Sequence, residues 1–320
     1  MKLSAALVSL LIACATASAQ TYPGKPIRLV VGFAPGGAAD IVARTVGDPL
    51  GRVLGQSIIM DNRPGARSSM VAELVARAAP DGYTILIASP SSQSVNPVMS
   101  KHVGYNPEKD FAPISKITSS PMVVAVNPGL PVRSIPELIA EAKRAPGRLN
   151  FASSGNGSAP HLAAVLFSSV AGVEMVHVPF KGGAPAVQSV VAGDTQVTFA
   201  TPPSVLPMIQ GGRLRGLAIT GRARSAVVPG LPGMEEAGLP GYDISFWYGL
   251  FAPAGTSLEV IKRLFEATAL VMQRPELRQS LARDGTDVST SRSPDDFAVF
   301  LREEAKLWAR VVRESGAKAD

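Results

Sequence analysis

The chain has 320 residues, 46% of them hydrophobic and 18% charged, with a formal net charge of +6 and a single cysteine. That length suits two domains with sizeable cores, and the scattered Gly and Pro read as tight turns, not as a disordered tract. The mild positive balance does not cluster. Its densest stretch, GRLRGLAITGRARS (212–225), lacks the interleaved aromatics of a nucleic-acid platform and reads as a solvated basic face that favours small anions.

The chain opens MKLSAALVSLLIACATASAQ, with one Lys, an apolar stretch and Ala17-Ser18-Ala19. This is the layout of a secretory signal peptide, residues 1–19, cleaved after Ala19. The apolar run is too short to span a membrane. LIAC (11–14) also resembles a lipobox with Cys14 as a lipidated terminus, although the run before it is short for that. Cleavage after Ala19 removes the only cysteine, and with it any disulfide, thiol nucleophile or thiolate metal site. With no other long apolar run, the mature protein is expected to be exported and soluble.

Strand and helix patterns then alternate. Residues 26–31 predict a strand, and Ile41, Val42, Val46, Leu50 and Val53 a helix. Further strands are expected at 57–60 and 83–88, with a helix at 71–78 between them. This βαβαβ rhythm predicts a parallel sheet with helices on both faces. A second unit follows: strands at 122–126, 149–152, 173–178, 197–199 and 214–220, and helices after Ser134, after Ser158 and over 186–191. Capping-box spacings at Ser134–Glu137 and Thr256–Glu259, and Ser293 followed by Pro294, mark helix starts. Phe297, Leu301, Trp308 and Val311 make one apolar stripe on the last helix.

Two glycine-rich strand-to-helix turns stand out. VVGFAPGGAAD (30–40) leads into the first helix, and SSGNGSAPHL (153–162) into a helix of the second unit. Glycines allow close backbone approach, and helix N-terminal N–H groups carry partial positive charge, so both turns suit an anion. No phosphate-loop lysine motif and no complete dinucleotide fingerprint accompany them. Asp40 reads either as a helix-start acid or as a group that holds a water or an amine. Ser158 is a natural N-cap. No nucleophile elbow or zinc-helix motif occurs, and His102, His161 and His177 are not spaced for a metal. Of the three, His161 is singled out by its place beside the second turn.

The ordered segments YPGKPIRLVVGFAPGGAADIVAR, NRPGA, AAPDGYTIL, SSGNGSAPHLA, VHVPFKGGAPAVQSVVAGDTQVTF, LRGLAIT and FWYGLFAPAGT together resemble the Bug family, the extracytoplasmic solute receptors of tripartite tricarboxylate transporters. The resemblance spans essentially the whole mature chain. It implies an α/β, type II periplasmic-binding-protein fold, with two α/β lobes joined by crossing hinge strands and a ligand cleft between them. The expected division is 20–118 plus 226–320 for one lobe and 119–225 for the other. It implies a periplasmic, non-catalytic, monomeric protein without cofactor or metal that binds a small organic acid and meets a membrane permease, not nucleic acid.

Carried over residue by residue, the ligand loops are Phe33, Pro35, Gly36, Gly37, Ala38 and Asp40; Ser89, Ser91 and Ser92; Ser153, Gly157, Ser158 and His161; and Phe180 with Lys181. Two positions depart from the family. Ala200, followed by Thr201, stands where an acid is common, which favours a plain carboxylate over an amino acid. Arg67, Ser68 and Ser69 replace small glycines, with Arg67 read as a surface residue. The rival readings are an exported hydrolase using Ser158 with His161, and a ligand sensor for a membrane signalling partner.

Overall fold

Strand β1 (Ile27–Val31) buries Ile27, Leu29 and Val31 on one face and Val30 on the other, as strand periodicity requires. The computed structural model describes residues 22–65, 68–99, 103–283 and 285–315, so the signal peptide with Cys14, Arg67 and His102 lie outside them. β2 (Ile58–Asn62) and β3 (Thr84–Ala88) flank β1 in parallel. Parallel neighbours need crossovers. These are α1 (Ala38–Leu54), which packs on the Ile27 face, and α2 (Ser69–Ala76), which packs on the Val30 face. Helices thus cover both faces, as the alternating pattern predicts. A π-helical turn, Ser91–Val95, and the short α3 (Asn96–Met99) follow.

Strand β4 (Phe111–Pro121) carries the chain into a second sheet of β5 (Val123–Val126), β6 (Asn150–Ser153), β7 (Val176–Pro179), β8 (Val197–Ala200) and β9 (Arg215–Ile219). Between these strands lie α4 (Ile135–Arg144), α5 (Ala159–Ala171), α6 (Gly183–Ala192) and α7 (Pro202–Gln210). Strand β10 (Ser245–Pro253) returns to the first sheet, followed by α8 (Leu258–Met272), α9 (Pro275–Arg283), β11 (Asp287–Val288) and α10 (Pro294–Ser315). The sheet orders are β11-β4-β10-β3-β1-β2 and β7-β6-β8-β5-β9. Each contains a parallel trio with its first strand in the middle. An antiparallel strand, β10 or β5, then joins the trio to a fourth. This is a periplasmic-binding-protein-like α/β fold.

The two crossings are tied together at Thr220, which is fully buried. Its N–H donates to Met122 O at 2.8 Å and its carbonyl accepts the Ile244 N–H at 3.0 Å. Its hydroxyl accepts the Met122 N–H at 2.8 Å and donates to Ile244 O at 2.7 Å. One residue therefore satisfies polar groups of both connecting segments.

Local signals hold where they are self-contained. Ser134 caps α4 by accepting the Glu137 N–H, and Ser293 Oγ accepts the Asp296 N–H at the start of α10. At α8 the cap is Ser257, which accepts the Val260 N–H, while the Thr256 hydroxyl donates to Pro253 O. The box read at Thr256 is thus displaced by one residue. The apolar stripe of α10 is divided: Phe297 and Leu301 join Trp247 beside β3 and β10, whereas Trp308 and Val311 enter the core shared by both sheets.

Candidate ligand-binding cleft

Helix α1 begins at Gly37 without a side-chain cap, and α6 begins at Gly182 in the same state. An uncapped N-terminus leaves its first N–H groups without intrahelical acceptors. In α1 the first amide to bond back is that of Ile41, to Gly37 O, so the Ala38, Ala39 and Asp40 N–H groups precede the helical ladder. In α6 the first is Ala186, to Gly182 O, which leaves Gly183 and Ala184, because Pro185 has no N–H. The two ends face each other. A Cβ added to Gly37 would lie 4.0 Å from the Ala184 nitrogen, and one on Gly182 would lie 3.5 Å from the Ala34 Cβ.

Between them lies an inner chamber of about 30 Å³, small enough that an occupant touches both walls. Ser153, Ser154, Thr198, Thr201 and Ser204 line it, with Tyr248 from the returning strand. Burial pushes the Tyr248 pKa up, so its hydroxyl stays a neutral donor. Helix α7 supplies hydroxyls in place of amides. It opens with Pro202 and Pro203, and the Ser204 N–H bonds to Thr201 O. An outer chamber of about 260 Å³ adjoins the inner one, with Phe33 and Ser154 lining both. Among the described residues no acidic side chain lines either chamber.

The arrangement is a small, neutral-walled pocket with two positive helix ends aimed inward, which suits an anion of carboxylate size. Comparison with known proteins agrees. Residues 42–317 match the model of the tripartite tricarboxylate transporter family receptor. The chain belongs to this receptor family. It is 35% identical to protein BugT of Bordetella pertussis over 305 residues, covering 95% of this chain and 93% of that one. A Rhodopseudomonas palustris structure with adipate superposes with a TM-score of 0.90 at 33% identity, covering 93% of this chain and 99% of that one. The protein MatC from the same organism, with bound malate, gives a TM-score of 0.86 at 30% identity over 91% of this chain and 100% of its own.

Within this receptor fold, the residues singled out from sequence fall into three places. Phe33, Gly37, Ala38, Ser153, Ala200 and Thr201 line the inner chamber, and Phe180 and Lys181 line the outer one with Phe33. Pro35 and Gly36 are exposed and line neither chamber. Asp40, Ser89, Ser91, Ser92, Gly157, Ser158 and His161 line neither chamber.

Residues of that last set support the walls. Asp40 is buried and accepts the Gly36 N–H at 3.0 Å and Arg44 Nε at 3.0 Å. Burial raises its pKa, but the bonds from Arg44, Gly36 and Asn62 outweigh it and hold the carboxyl below its ordinary range. Asp40 therefore organises the helix start. Ser91 Oγ accepts the Ala159 N–H, and Ser92 Oγ donates to Ser89 O. Ser89 Oγ is buried without a hydrogen-bond partner among the described residues. Ser158 caps α5 through the His161 N–H, and His161 Nδ1 accepts the Gly157 N–H at 2.9 Å. The donors of the serine-rich turn are thus largely engaged within the protein, while Gly183, at the uncapped start of α6, lines the inner chamber.

Sequence reasoning did not single out Asn62, whose Nδ2 donates to Phe33 O at 3.2 Å and fixes the first loop. It also passed over the pairing of Ser153 with His177, at 2.6 Å, and the stacking of His177 on His161 with ring centroids 3.9 Å apart. Both arise from the pairing of β6 with β7 and the placement of α5, which no local spacing announces.

Proposed function

We propose that this protein is a periplasmic receptor that captures a small organic carboxylate and delivers it to the permease of a tripartite tricarboxylate transporter. The observation that carries this reading is the meeting of the α1 and α6 N-termini across a chamber without acidic side chains. Amides of Ala38, Ala39, Gly183 and Ala184 would hold the carboxylate, and the hydroxyls of Ser153, Thr201 and Tyr248 would surround it. The lobes are 20–118 plus 226–320 and 119–225, and they move about the crossing held by Thr220. Closure removes the anion from water and strengthens each of these bonds. Family relatives solved with adipate and malate support the ligand class. With Ala200 in the inner wall, no acid stands ready for an ammonium group, so a plain carboxylate is preferred to an amino acid.

Thermal-shift screening of the mature protein against mono-, di- and tricarboxylates and aromatic acids tests the reading. A ligand at a hundred times its dissociation constant adds about 2.7 kcal/mol, and hence a midpoint rise of roughly 5 °C for a chain of this size. A flat response across the panel would overturn it. A complex with an amino acid whose ammonium is fully paired would overturn the preference for a plain acid.

A further inference from the structure

A separate cavity, of about 210 Å³, shares no lining residue with either chamber of the cleft. It lies between the π-helical turn Ser91–Val95, the start of β4, the end of β10 and helix α10. Phe111, Phe251 and Leu301 make its walls largely apolar, and the two phenyl rings meet edge to face with centroids 6.2 Å apart. Apolar cavities of about 150 Å³ admit benzene, so this one has room for a ring with a short substituent.

The backbone beside the cavity is anchored. Ser91 Oγ accepts the Ala159 N–H, the Ser92 carbonyl accepts the Tyr105 hydroxyl at 2.6 Å, and the Gln93 N–H donates to Ser89 O at 3.2 Å. The Gln93 side chain lines the cavity and is not anchored. The residue is only 5% exposed, and its Nε2 has no acceptor among the described residues. Buried donors in proteins are almost always paired. The charged residues of the lining are Glu108 and Arg302, both exposed. They take part in none of the ion pairs found among the described residues. Their opposite signs favour neither an anion nor a cation.

We propose that this cavity is a second binding site, for a small uncharged aromatic molecule whose carbonyl oxygen accepts from Gln93 Nε2. The ring of that molecule packs with Phe111 and Phe251, where aromatic pairs gain beyond their burial. The oxygen satisfies the buried amide, which a plain hydrocarbon leaves unpaired. The cleft is shaped for an anion and this cavity for a neutral ring, so the two sites take different molecules and can be filled together.

Benzamide, acetophenone and toluene test the site, because they are similar in shape and only the first two carry the oxygen. Each is titrated calorimetrically into the mature protein, into Gln93→Leu and into Ala298→Phe, which adds a ring to the cavity wall. The two carbonyl compounds are expected to bind with dissociation constants of about 0.1–1 mM, and toluene about tenfold more weakly. Gln93→Leu removes that difference and leaves toluene unchanged, and Ala298→Phe abolishes binding of all three. Benzoate, the anionic counterpart of benzamide, does not displace it. No binding of either carbonyl compound at about 10 mM would mean that the cavity holds water only, and would overturn the proposal. A carbonyl preference that survives Gln93→Leu, or binding untouched by Ala298→Phe, overturns it too. Displacement of benzamide by benzoate does the same, and leaves the carboxylate cleft standing.

Discussion

Ser91 and Ala159 lie 68 positions apart and on different units, yet Ser91 Oγ accepts the Ala159 N–H at 3.1 Å. Both residues are fully buried. The bond joins the segment after β3 to the first turn of α5, so under the proposed lobe closure it forms only when the two units are together. Ser91→Ala leaves a buried donor unpaired in the closed form. We expect a loss of about 1 kcal/mol in closure, or roughly fivefold in ligand affinity. Calorimetry with the best acid measures it, and small-angle scattering follows the closed fraction. Unchanged affinity beside a lowered melting temperature would assign Ser91 a folding role alone.

Asp40 ties the first turn of α1 to Gly36 and Arg44. Its carboxyl lies below the ordinary 3.8, so the stability it contributes is present above that value and lost as pH falls through the native pKa. Asp40→Ala is expected to destabilise the protein by about 1–2 kcal/mol at neutral pH. The gap in melting temperature from the natural protein should close below about pH 4. A gap that stays constant into acid would show that the charge is not what matters.

The only two tryptophans, Trp247 and Trp308, donate to the same oxygen, Glu304 Oε2, at 2.7 and 3.0 Å. Burial lifts the Glu304 pKa above 4.5, although the two indole N–H groups and Lys116 pull the other way. For an acid raised in the folded state, stability is greatest below the unfolded value and declines as pH rises through the native one. Glu304→Gln keeps an oxygen for both indoles and removes the titration. Tryptophan emission is expected to titrate with a midpoint above 4.5 in the natural protein and to stay flat in Glu304→Gln. Identical emission profiles would refute the coupling.

The start of α8 separates two neighbouring hydroxyls. Ser257→Ala removes the acceptor of the Val260 N–H and is expected to cost about 1 kcal/mol, or about 2–4 °C in melting temperature. Adding Thr256→Val tests the Pro253 contact separately, and a loss confined to the Thr256 change would restore the earlier reading of the cap.

What could be read in advance was local. The parallel trio, the caps of α4 and α10 and the turn into α1 each follow from a few consecutive residues. Strand β4 went unread because it mixes polar and apolar residues, and its pairing with β10 brings together segments more than a hundred residues apart. The serine-rich turn drew attention through its hydroxyl content. Composition does not tell whether a hydroxyl serves its own helix, as Ser158 does, or faces open space. The plainer Gly182-Gly183 turn carries the free amides because nothing near it caps the helix.

The shared strand order of the two sheets has a geometric consequence. A rotation that laid one sheet on the other would carry β1 onto β6 and β2 onto β7, and therefore α1 onto α5 and α2 onto α6. The helices that meet across the chamber, α1 and α6, are not symmetry mates under that operation. The two helix ends that meet most closely therefore belong to different steps of the repeated pattern. The walls of the chamber are inequivalent, so the proposed acid would enter it in one orientation.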